Sequence, residues 1–253
     1  MPSLPILNLS AYKFVTIDDL PALRERLLQA ATARGLKGTV LLAEEGINLF
    51  VAGPEAPARE WIALLHADAR FADIVPKESF SAAVPFKRML VKIKREIIRM
   101  NMPAIRPGQG RAPSVAPRTL ARWLAQGHDD QGRPVVTLDT RNAFEVDAGA
   151  FEGAIDWRLH KFSEFPAALQ AHRDELAGKT VVSYCTGGIR CEKAAIFMAE
   201  AGMPNVLQLE GGILKYFESQ GGRHFSGECF VFDDRRGVDS HLAASRPGGK
   251  PAG

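Results

Sequence analysis

The stretch from Lys179 to Gly202, KTVVSYCTGGIRCEKAAIFMAEAG, constrains the fold of this chain more than any other. A short apolar run ends at Tyr184 and has the length of a buried parallel strand. A segment rich in alanine, methionine, glutamate and lysine begins at Glu192 and stops before Gly202 and Pro204, as a helix would. The stretch therefore predicts a strand, a short loop and a helix, the pattern of an α/β domain with a parallel sheet.

The loop between this strand and helix has the composition of a site that ionises a thiol. It reads Cys185-Thr186-Gly187-Gly188-Ile189-Arg190. Two adjacent glycines let successive backbone N–H groups point inward around an anion, and the helix start and Arg190 add positive charge. Such sites lower a cysteine pKa from about 8.5 to between about 3.5 and 7.5. We therefore expect Cys185 to be a thiolate at neutral pH; a merely buried cysteine is the alternative.

Composition narrows the class of protein. A chain of 253 residues, 46% of them hydrophobic, fits two domains with cores of their own. No run approaches the about 20 apolar residues of a membrane span, and the N-terminus lacks the basic region of a secretory signal. Three cysteines without a CxxC pair argue against a disulfide framework or a zinc site. We expect a cytoplasmic protein that does not engage the membrane.

Positive charge is concentrated between Lys87 and Arg118, although the net charge of the whole chain is only +3. This stretch holds nine lysines and arginines and a single acid, Glu96. Such a concentration is the electrostatic footprint expected for a phosphate-rich partner. A solvated strand face is the alternative. The residues expected to meet phosphates are Lys87, Arg88, Lys92, Lys94, Arg95 and Arg99.

Residues 1–101 show strand and helix patterns in the order of a split βαβ, or ferredoxin-like, fold. The predicted elements are a strand over Ala11–Ile17, a helix capped by Asp18 and Asp19, a hairpin over Gly38–Ala52, a helix over Ala56–Asp68 and a closing strand over Met89–Met100. Residues 71–85 show no clear pattern. A basic linker rich in proline and glycine follows over residues 102–117.

Residues 118–222 alternate strands with helices and form the second predicted domain. Two of its strands end at Asp139 and just before Cys185. Ligands in such sheets bind at the carboxyl ends of the strands, so we expect the functional site there. Residues 223–253 form a C-terminal extension that we expect to be disordered beyond about residue 240.

The motif YCTGGIRCEK, followed by QLEGGI, resembles a rhodanese domain. This resemblance implies that Cys185 can carry sulfur as a persulfide. Asp139, Arg141 and Glu145 resemble the rhodanese Asp-x-Arg…Glu element, for which we favour a structural ion pair over a direct catalytic role. The loop from Cys185 to Arg190 is shorter than that of the related cysteine phosphatases, which favours a smaller group than phosphate at the thiolate.

A wider resemblance covers roughly Tyr12 to Val238. The segments GTVLLAEEGINLFVAG, PFKRMLVKIKREI, DTRNAFEV, LEGGILKYFE and GECFVFDDR, together with the cysteine motif, resemble the tRNA uridine hydroxylase family. The resemblance implies an acylphosphatase-like, ferredoxin-like domain before a rhodanese-like α/β domain with a parallel sheet. It also implies tRNA as partner, molecular oxygen as co-substrate and 5-hydroxyuridine at the wobble position as product.

The residues themselves offer one strong reactive centre, Cys185, with Arg190 as its charged neighbour. Cys191 either resolves an oxidised Cys185 as a disulfide or is a small residue packed on the loop, and we favour the second interpretation. Cys229 fits a core position. No dinucleotide fingerprint is present, and His66 with Asp68 has the spacing of half an iron site but fits a plain helix end better. No metal site and no other cofactor site is evident in the sequence.

Three classes of function remain open on this reasoning. The first is the tRNA hydroxylase, and the second is a rhodanese-type sulfurtransferase that passes persulfide sulfur from Cys185 to a thiophilic acceptor. The third is a non-catalytic module whose loop binds an anion. The first two require Cys185 and differ in the product that they form on the substrate.

Overall fold

The computed structural model describes residues 5–110 and 112–244, which form two compact units. The first unit contains the residues up to 98 together with Phe232–Arg235, and the second contains Arg99–Val231 together with 236–244. The domain limits expected at 101, 117 and 222 remain predictions. Arg111 of the basic stretch, and residues 245–253, for which we expect disorder, lie outside the described residues.

The first unit is a five-stranded sheet with two helices. Its elements are β1 (Ile6–Phe14), α1 (Leu20–Ala33), β2 (Lys37–Ala43), β3 (Gly46–Pro54), α2 (Glu55–His66), β4 (Lys77–Ser81) and β5 (Met89–Ile93). The strand order is β4-β1-β3-β2-β5. Strands β1 to β4 pair antiparallel with one another, whereas β5 pairs parallel with β2. The four antiparallel strands therefore have the ferredoxin-like order that the sequence predicts.

The strand that closes this fold differs from the prediction. It is β4, which lies within residues 71–85, the stretch that showed no clear pattern. The prediction that a strand over Met89–Met100 closes the fold is wrong. That strand ends at Ile93 and adds to the opposite edge of the sheet, beside β2. Strand β4 is an edge strand of sequence KESFS whose side chains are mostly half-buried, so it shows no strong apolar alternation.

Both helices of the first unit contribute apolar side chains to one core with the sheet. Leu23 and Leu27 of α1 and Trp61 and Leu65 of α2 are buried in the same cluster as the inward-facing residues of β1, β2 and β3. The indole N–H of Trp61 donates to the carbonyl oxygen of Leu27 at 3.3 Å, which joins the two helices. The apolar face of each helix therefore lies against the sheet.

The second unit is built on a five-stranded sheet of order β6-β11-β10-β7-β9. Its elements are β6 (Ser114–Val115), α3 (Pro117–Gln126), β7 (Val135–Asp139), α4 (Ala143–Val146), β8 (Gly149–Phe151), β9 (Ile155–Asp156), α5 (Phe165–His172), β10 (Thr180–Tyr184), α6 (Ile189–Glu200), β11 (Val206–Leu209), α7 (Gly212–Gln220), β12 (Phe225–Gly227), β13 (Cys229–Phe230) and β14 (Gly237–Val238). All four strand pairings in the large sheet are parallel. The predicted parallel sheet is confirmed.

Two features of this sheet matter for the site. Strand β6 lies in the stretch predicted to be a linker and pairs with β11, so part of that stretch belongs to the sheet. In the centre, Tyr184 of β10 pairs with Asp139 of β7. The two strands therefore end at the same level, and Cys185 and Thr140 begin neighbouring loops at the carboxyl edge of the sheet.

Candidate active site

The Cys185 loop wraps backbone N–H groups around the sulfur. The Gly188 N–H donates to the Cys185 Sγ at 3.1 Å. Gly188 has φ 103°, a left-handed conformation that disfavours residues with a Cβ, and it immediately precedes α6. A Cβ placed on Gly187 would meet nothing within 4 Å, so the space beside the loop is open. The left-handed conformation of Gly188 thus orients an N–H toward the sulfur, whereas a side chain at Gly187 would meet no steric obstacle.

The environment of Cys185 favours a thiolate. Burial alone would raise the pKa of this thiol, but hydrogen bonding from the Cys191 thiol, the charge of Arg190 and the backbone N–H groups of Cys191 and Arg190 lower it to about 5. The other two cysteines behave differently. Burial raises the pKa of Cys191 well above its usual value and that of Cys229 to about 12. At neutral pH, Cys185 is therefore the thiolate among three free cysteines.

Arg190 lies beneath the loop in a buried ion pair. Its Nη1 and Nη2 donate to the two carboxylate oxygens of Glu145 at 2.5 and 2.7 Å. The sequence placed the Arg190 charge beside the thiol, and that charge does lower the Cys185 pKa. The structure adds that Glu145 orients the guanidinium. Glu145 also accepts from the Asn142 N–H at 3.0 Å, so one carboxylate links the start of α4 to Arg190 of the loop.

A second buried ion pair lies beside the first. Asp139 and Arg141 are fully buried, and Arg141 donates to Asp139 through Nε at 2.9 Å and Nη2 at 2.6 Å. The same guanidinium donates to the carbonyl oxygen of Gly149 at 2.6 Å and lies 5.7 Å from the ring centroid of Tyr184. Arg141 therefore ties the end of β7 to β8 and to the strand that precedes Cys185.

The N-terminus of α7 completes the loop from the other side. The Ile213 N–H donates to the Cys185 carbonyl oxygen at 3.0 Å, and the Leu214 N–H donates to the Thr186 carbonyl oxygen at 3.1 Å. Gly212 has φ +68°, and a Cβ there would lie 2.4 Å from the Cys185 carbonyl oxygen. Sequence reasoning missed this contact, although the pair Gly211-Gly212 was its visible signal. The unpaired N–H groups at the start of α7 thus bind the carbonyl oxygens of Cys185 and Thr186, while the Gly188 N–H of the loop binds the sulfur.

Cys191, Ser183 and Thr186 make further contacts within and beside the same loop. The Cys191 Sγ lies 3.0 Å from the Gly188 carbonyl oxygen, and the Ser183 hydroxyl donates to the Cys191 carbonyl oxygen at 3.2 Å. The Thr186 hydroxyl donates to the Phe230 carbonyl oxygen at 3.3 Å, next to the buried Cys229. The site therefore offers a buried thiolate held by a hydrogen-bonded loop, which suits nucleophilic attack, redox chemistry or the transport of sulfur.

Comparison with known proteins places both units in families. Residues 6–97 match the UPF0176 acylphosphatase like domain, and residues 120–219 match the rhodanese-like domain. A protein of Variovorax paradoxus named tRNA uridine(34) hydroxylase is 66% identical over 239 residues, which cover 94% of this chain and 91% of that protein. A Bordetella petrii protein of the same name is 65% identical and covers 94% of each chain.

The chain belongs to the tRNA uridine(34) hydroxylase family. The resemblance drawn from the sequence is thereby confirmed, as is the fold class of an acylphosphatase-like domain followed by a rhodanese-like domain. Among solved structures, the rhodanese-like domain of an Anabaena protein overlaps 46% of this chain and 79% of that chain, with 19% identity and a TM-score of 0.37.

In this member of the family, the basic residues of the first unit are exposed. Lys87 and Arg88 precede β5, Lys92 lies within it, and Lys94 and Arg95 follow it. Within the part of the chain that the structure describes, no ion pair involves these five side chains. The sixth predicted residue, Arg99, is also exposed; it belongs to the second unit and donates to the Asn101 side chain at 2.9 Å.

The described residues also bear on metals and membranes. Residues 5–110 and 112–244 contain no group of three or more His, Cys, Asp or Glu side chains placed to hold a metal ion. Asp68, half of the weak iron-site pattern, binds Arg26 at 2.7 Å and Arg70 at 2.8 Å, while His66 contacts the Ile74 carbonyl oxygen at 2.8 Å. None of the described helices combines the length and apolar character that a membrane span needs.

Proposed function

We propose that this chain is a tRNA uridine(34) hydroxylase that forms 5-hydroxyuridine at the wobble position of tRNA. One observation carries the proposal: identity of 61–66% to proteins of that name extends over 94–96% of the chain. That span includes both the basic surface of the first unit and the thiolate loop of the second. Because tRNA is the substrate, we place the reaction in the cytoplasm.

Cys185 is the reactive group in this proposal. Its thiolate is stabilised by the N–H groups of Gly188, Arg190 and Cys191 and by the charge of Arg190. Arg190 acts as a positioning residue held by Glu145, and Asp139 with Arg141 fixes the neighbouring strand ends. Molecular oxygen supplies the atom that is added to the base.

The basic surface around β5 receives the tRNA backbone. Its five exposed side chains in the first unit, from Lys87 to Arg95, are drawn to phosphates without reading a sequence. Phosphate contacts supply affinity that falls steeply with salt. Such a surface orients the anticodon arm and leaves recognition of the base to the site around Cys185.

The test is nucleoside mass spectrometry of total tRNA from a strain that lacks this protein. The strain is complemented with the wild-type chain or with the Cys185→Ser variant. We expect 5-hydroxyuridine to disappear in the deletion, to return with the wild type and to stay absent with Cys185→Ser, while the variant remains folded by circular dichroism. Unchanged 5-hydroxyuridine in the deletion would overturn the proposal. Full complementation by Cys185→Ser would leave only an anion-binding role for the loop.

A sulfurtransferase is the second candidate, because one observation favours it. The Cys185 thiolate lies in a rhodanese-like domain, on a short loop with four residues between Cys185 and Arg190. This function predicts loss of a thiolated nucleoside, not of an added oxygen, in the same experiment. Incubation of the purified protein with thiosulfate and an acceptor thiol would also transfer sulfur at a rate that Cys185→Ser abolishes.

A further inference from the structure

Two of the three cysteines contact one residue of the active-site loop. The Cys185 Sγ accepts from the Gly188 N–H at 3.1 Å, and the Cys191 Sγ lies 3.0 Å from the carbonyl oxygen of the same glycine. The side chain and the backbone N–H of Cys191 both hydrogen-bond to the Cys185 thiolate. Cys185 and Cys191 are 1% and 0% exposed. Their sulfurs are therefore direct neighbours in the interior of the second unit.

The third cysteine, Cys229, has a different environment. It is also buried, but its Sγ lies 3.7 Å from the Phe230 carbonyl oxygen, and Thr186 hydrogen-bonds to its side chain. Burial raises the pKa of this thiol to about 12. Cys229 is therefore a buried thiol with other neighbours, which makes it an internal control for Cys191.

We propose that Cys185 and Cys191 join in a reversible disulfide when a small hydroperoxide oxidises Cys185. The sequence alone favours a packing role for Cys191, whereas the contacts of both sulfurs with Gly188 favour the resolving role. A thiolate is the form of cysteine that peroxides oxidise, and the resulting sulfenic acid condenses with a neighbouring thiol. Either candidate function requires a reactant to reach Cys185, and hydrogen peroxide is smaller than uridine or thiosulfate. The inference goes beyond the proposed function and does not depend on it.

The oxidation balances in two steps. In the first, the Cys185 thiolate attacks one oxygen of hydrogen peroxide, the O–O bond breaks, and Cys185 becomes a sulfenic acid while the other oxygen leaves as hydroxide. In the second, the Cys191 sulfur attacks the Cys185 sulfur, the S–O bond breaks, and the S–S bond forms. The proton of Cys191 and one from solvent convert the two departing hydroxides to water. The two cysteines thus supply the two electrons that reduce the peroxide.

The loop that ionises Cys185 then activates Cys191. In the reduced protein, burial and then the neighbouring Cys185 thiolate raise the pKa of Cys191. A protonated sulfenic acid carries no charge, so oxidation removes the charge of Cys185, while the positive charge of Arg190, which lowers the Cys191 pKa, remains. Cys191 is also the third residue of α6, where the helix N-terminus favours an anion. Oxidation of Cys185 therefore prepares the attack by Cys191.

The first experiment locates the disulfide in the full-length wild type. The reduced protein is treated with hydrogen peroxide, its free thiols are alkylated, and it is digested with trypsin. Trypsin cleaves after Arg190, so Cys185 and Cys191 fall on different peptides, 180–190 and 191–193. We expect mass spectrometry to find these two peptides joined by a disulfide that dithiothreitol removes. Absence of this cross-link, or a link from Cys185 to Cys229, would overturn the inference.

The second experiment measures what the disulfide prevents. Cys191→Ser keeps a hydrogen-bond donor beside Cys185 but lacks the resolving sulfur, and Cys229→Ala removes the other buried thiol. After the same peroxide treatment and then dithiothreitol, we expect the wild type and Cys229→Ala to recover all of their iodoacetamide-reactive Cys185. Cys191→Ser should lose it, because Cys185 proceeds to sulfinic and sulfonic acids that dithiothreitol does not reduce. Equal recovery, or equal loss, in Cys191→Ser and the wild type would contradict the inference.

Discussion

The two units of this protein use charge in opposite ways. Around β5 of the first unit, Lys87, Arg88, Lys92, Lys94 and Arg95 lie exposed at the surface. At the carboxyl edge of the sheet in the second unit, four charged side chains are buried and paired with one another. They are Asp139, Arg141, Glu145 and Arg190.

This difference determines how strongly each region depends on the exact placement of its charged side chains. Exposed charges act over distances of about 8–10 Å through a screened field, so their number and sign matter more than their geometry. Buried charges are tolerated only with partners at hydrogen-bonding distance. The first region should therefore tolerate single changes with little loss of stability, whereas the second should fail when any one partner is removed.

The largest effect is expected from Glu145→Gln. It leaves the Arg190 guanidinium buried without its counter-charge, and removal of one partner of a buried ion pair costs about 3–5 kcal/mol in the free energy of unfolding. Urea denaturation of the variant measures this cost.

The matched control for that change is Asp147→Asn, two residues along the chain. It removes one partner of an exposed pair in which Asp147 accepts from Arg158 at 2.6 and 3.0 Å. The geometry resembles that of the buried pair, but water screens it, so we expect the denaturation midpoint to stay unchanged. Similar losses in Glu145→Gln and Asp147→Asn would break the comparison between buried and exposed charge.

A somewhat smaller loss is expected from Gly212→Ala. The new Cβ would lie 2.4 Å from the Cys185 carbonyl oxygen at φ +68°, so left-handed strain and overpacking together cost about 2–4 kcal/mol in the free energy of unfolding. Gly127→Ala is the control, because the backbone there is left-handed with φ +79° but nothing lies within 4 Å of the new Cβ. If both variants lose the same stability in urea denaturation, backbone strain alone accounts for the loss, and contact between Gly212 and the Cys185 loop does not contribute.

Local patterns were sufficient to predict the centre of the second unit. A short apolar strand, two glycines and a helix from Glu192 are all set by neighbouring residues. The structure has them at β10, Gly188 and α6, although α6 begins three residues earlier, at Ile189. The charge on Arg190 and the lowered Cys185 pKa follow from the same local chemistry. The family resemblance added the order of the two domains, which the family matches confirm.

Contacts between distant segments could not be predicted from such local patterns. The partner of Arg190 is Glu145, on a helix 45 residues away along the chain. The helix that caps the Cys185 carbonyl follows a later strand, and the closing strand β4 has a sequence too polar to show alternation. Each of these depends on which surfaces the chain brings together, and a pattern within one segment does not encode that.

A modest effect on the site, without an effect on the fold, is expected from Cys191→Ala. The thiol of Cys191 contributes a hydrogen bond that stabilises the Cys185 thiolate, whose pKa is about 5. Loss of one hydrogen bond to a charged group should raise the pKa of Cys185 to about 6. Absorbance of the thiolate as a function of pH measures it, and thiolate formation should then begin at higher pH.

Cys191→Ser provides the control for this change, since it keeps a donor at the same position. Its Cys185 pKa should stay nearer to about 5 than that of the alanine variant. A Cys185 pKa that does not move in Cys191→Ala would assign the lowered value to Arg190 and the loop N–H groups alone. Because the raised value is still below neutrality, hydroxylation at neutral pH should change little in either variant.

The smallest effect on the fold, and a clear one on binding, is expected from Lys92→Glu combined with Lys94→Glu. Both side chains are exposed, so the denaturation midpoint should not change. Affinity for tRNA should fall, and the slope of log K against log salt should decrease by about 0.7–0.9 for each phosphate that the protein no longer neutralises. Lys215→Glu with Arg223→Glu changes the net charge equally on exposed residues of the second unit. If that pair weakens tRNA binding as much as the β5 pair, net charge and not the β5 surface determines affinity.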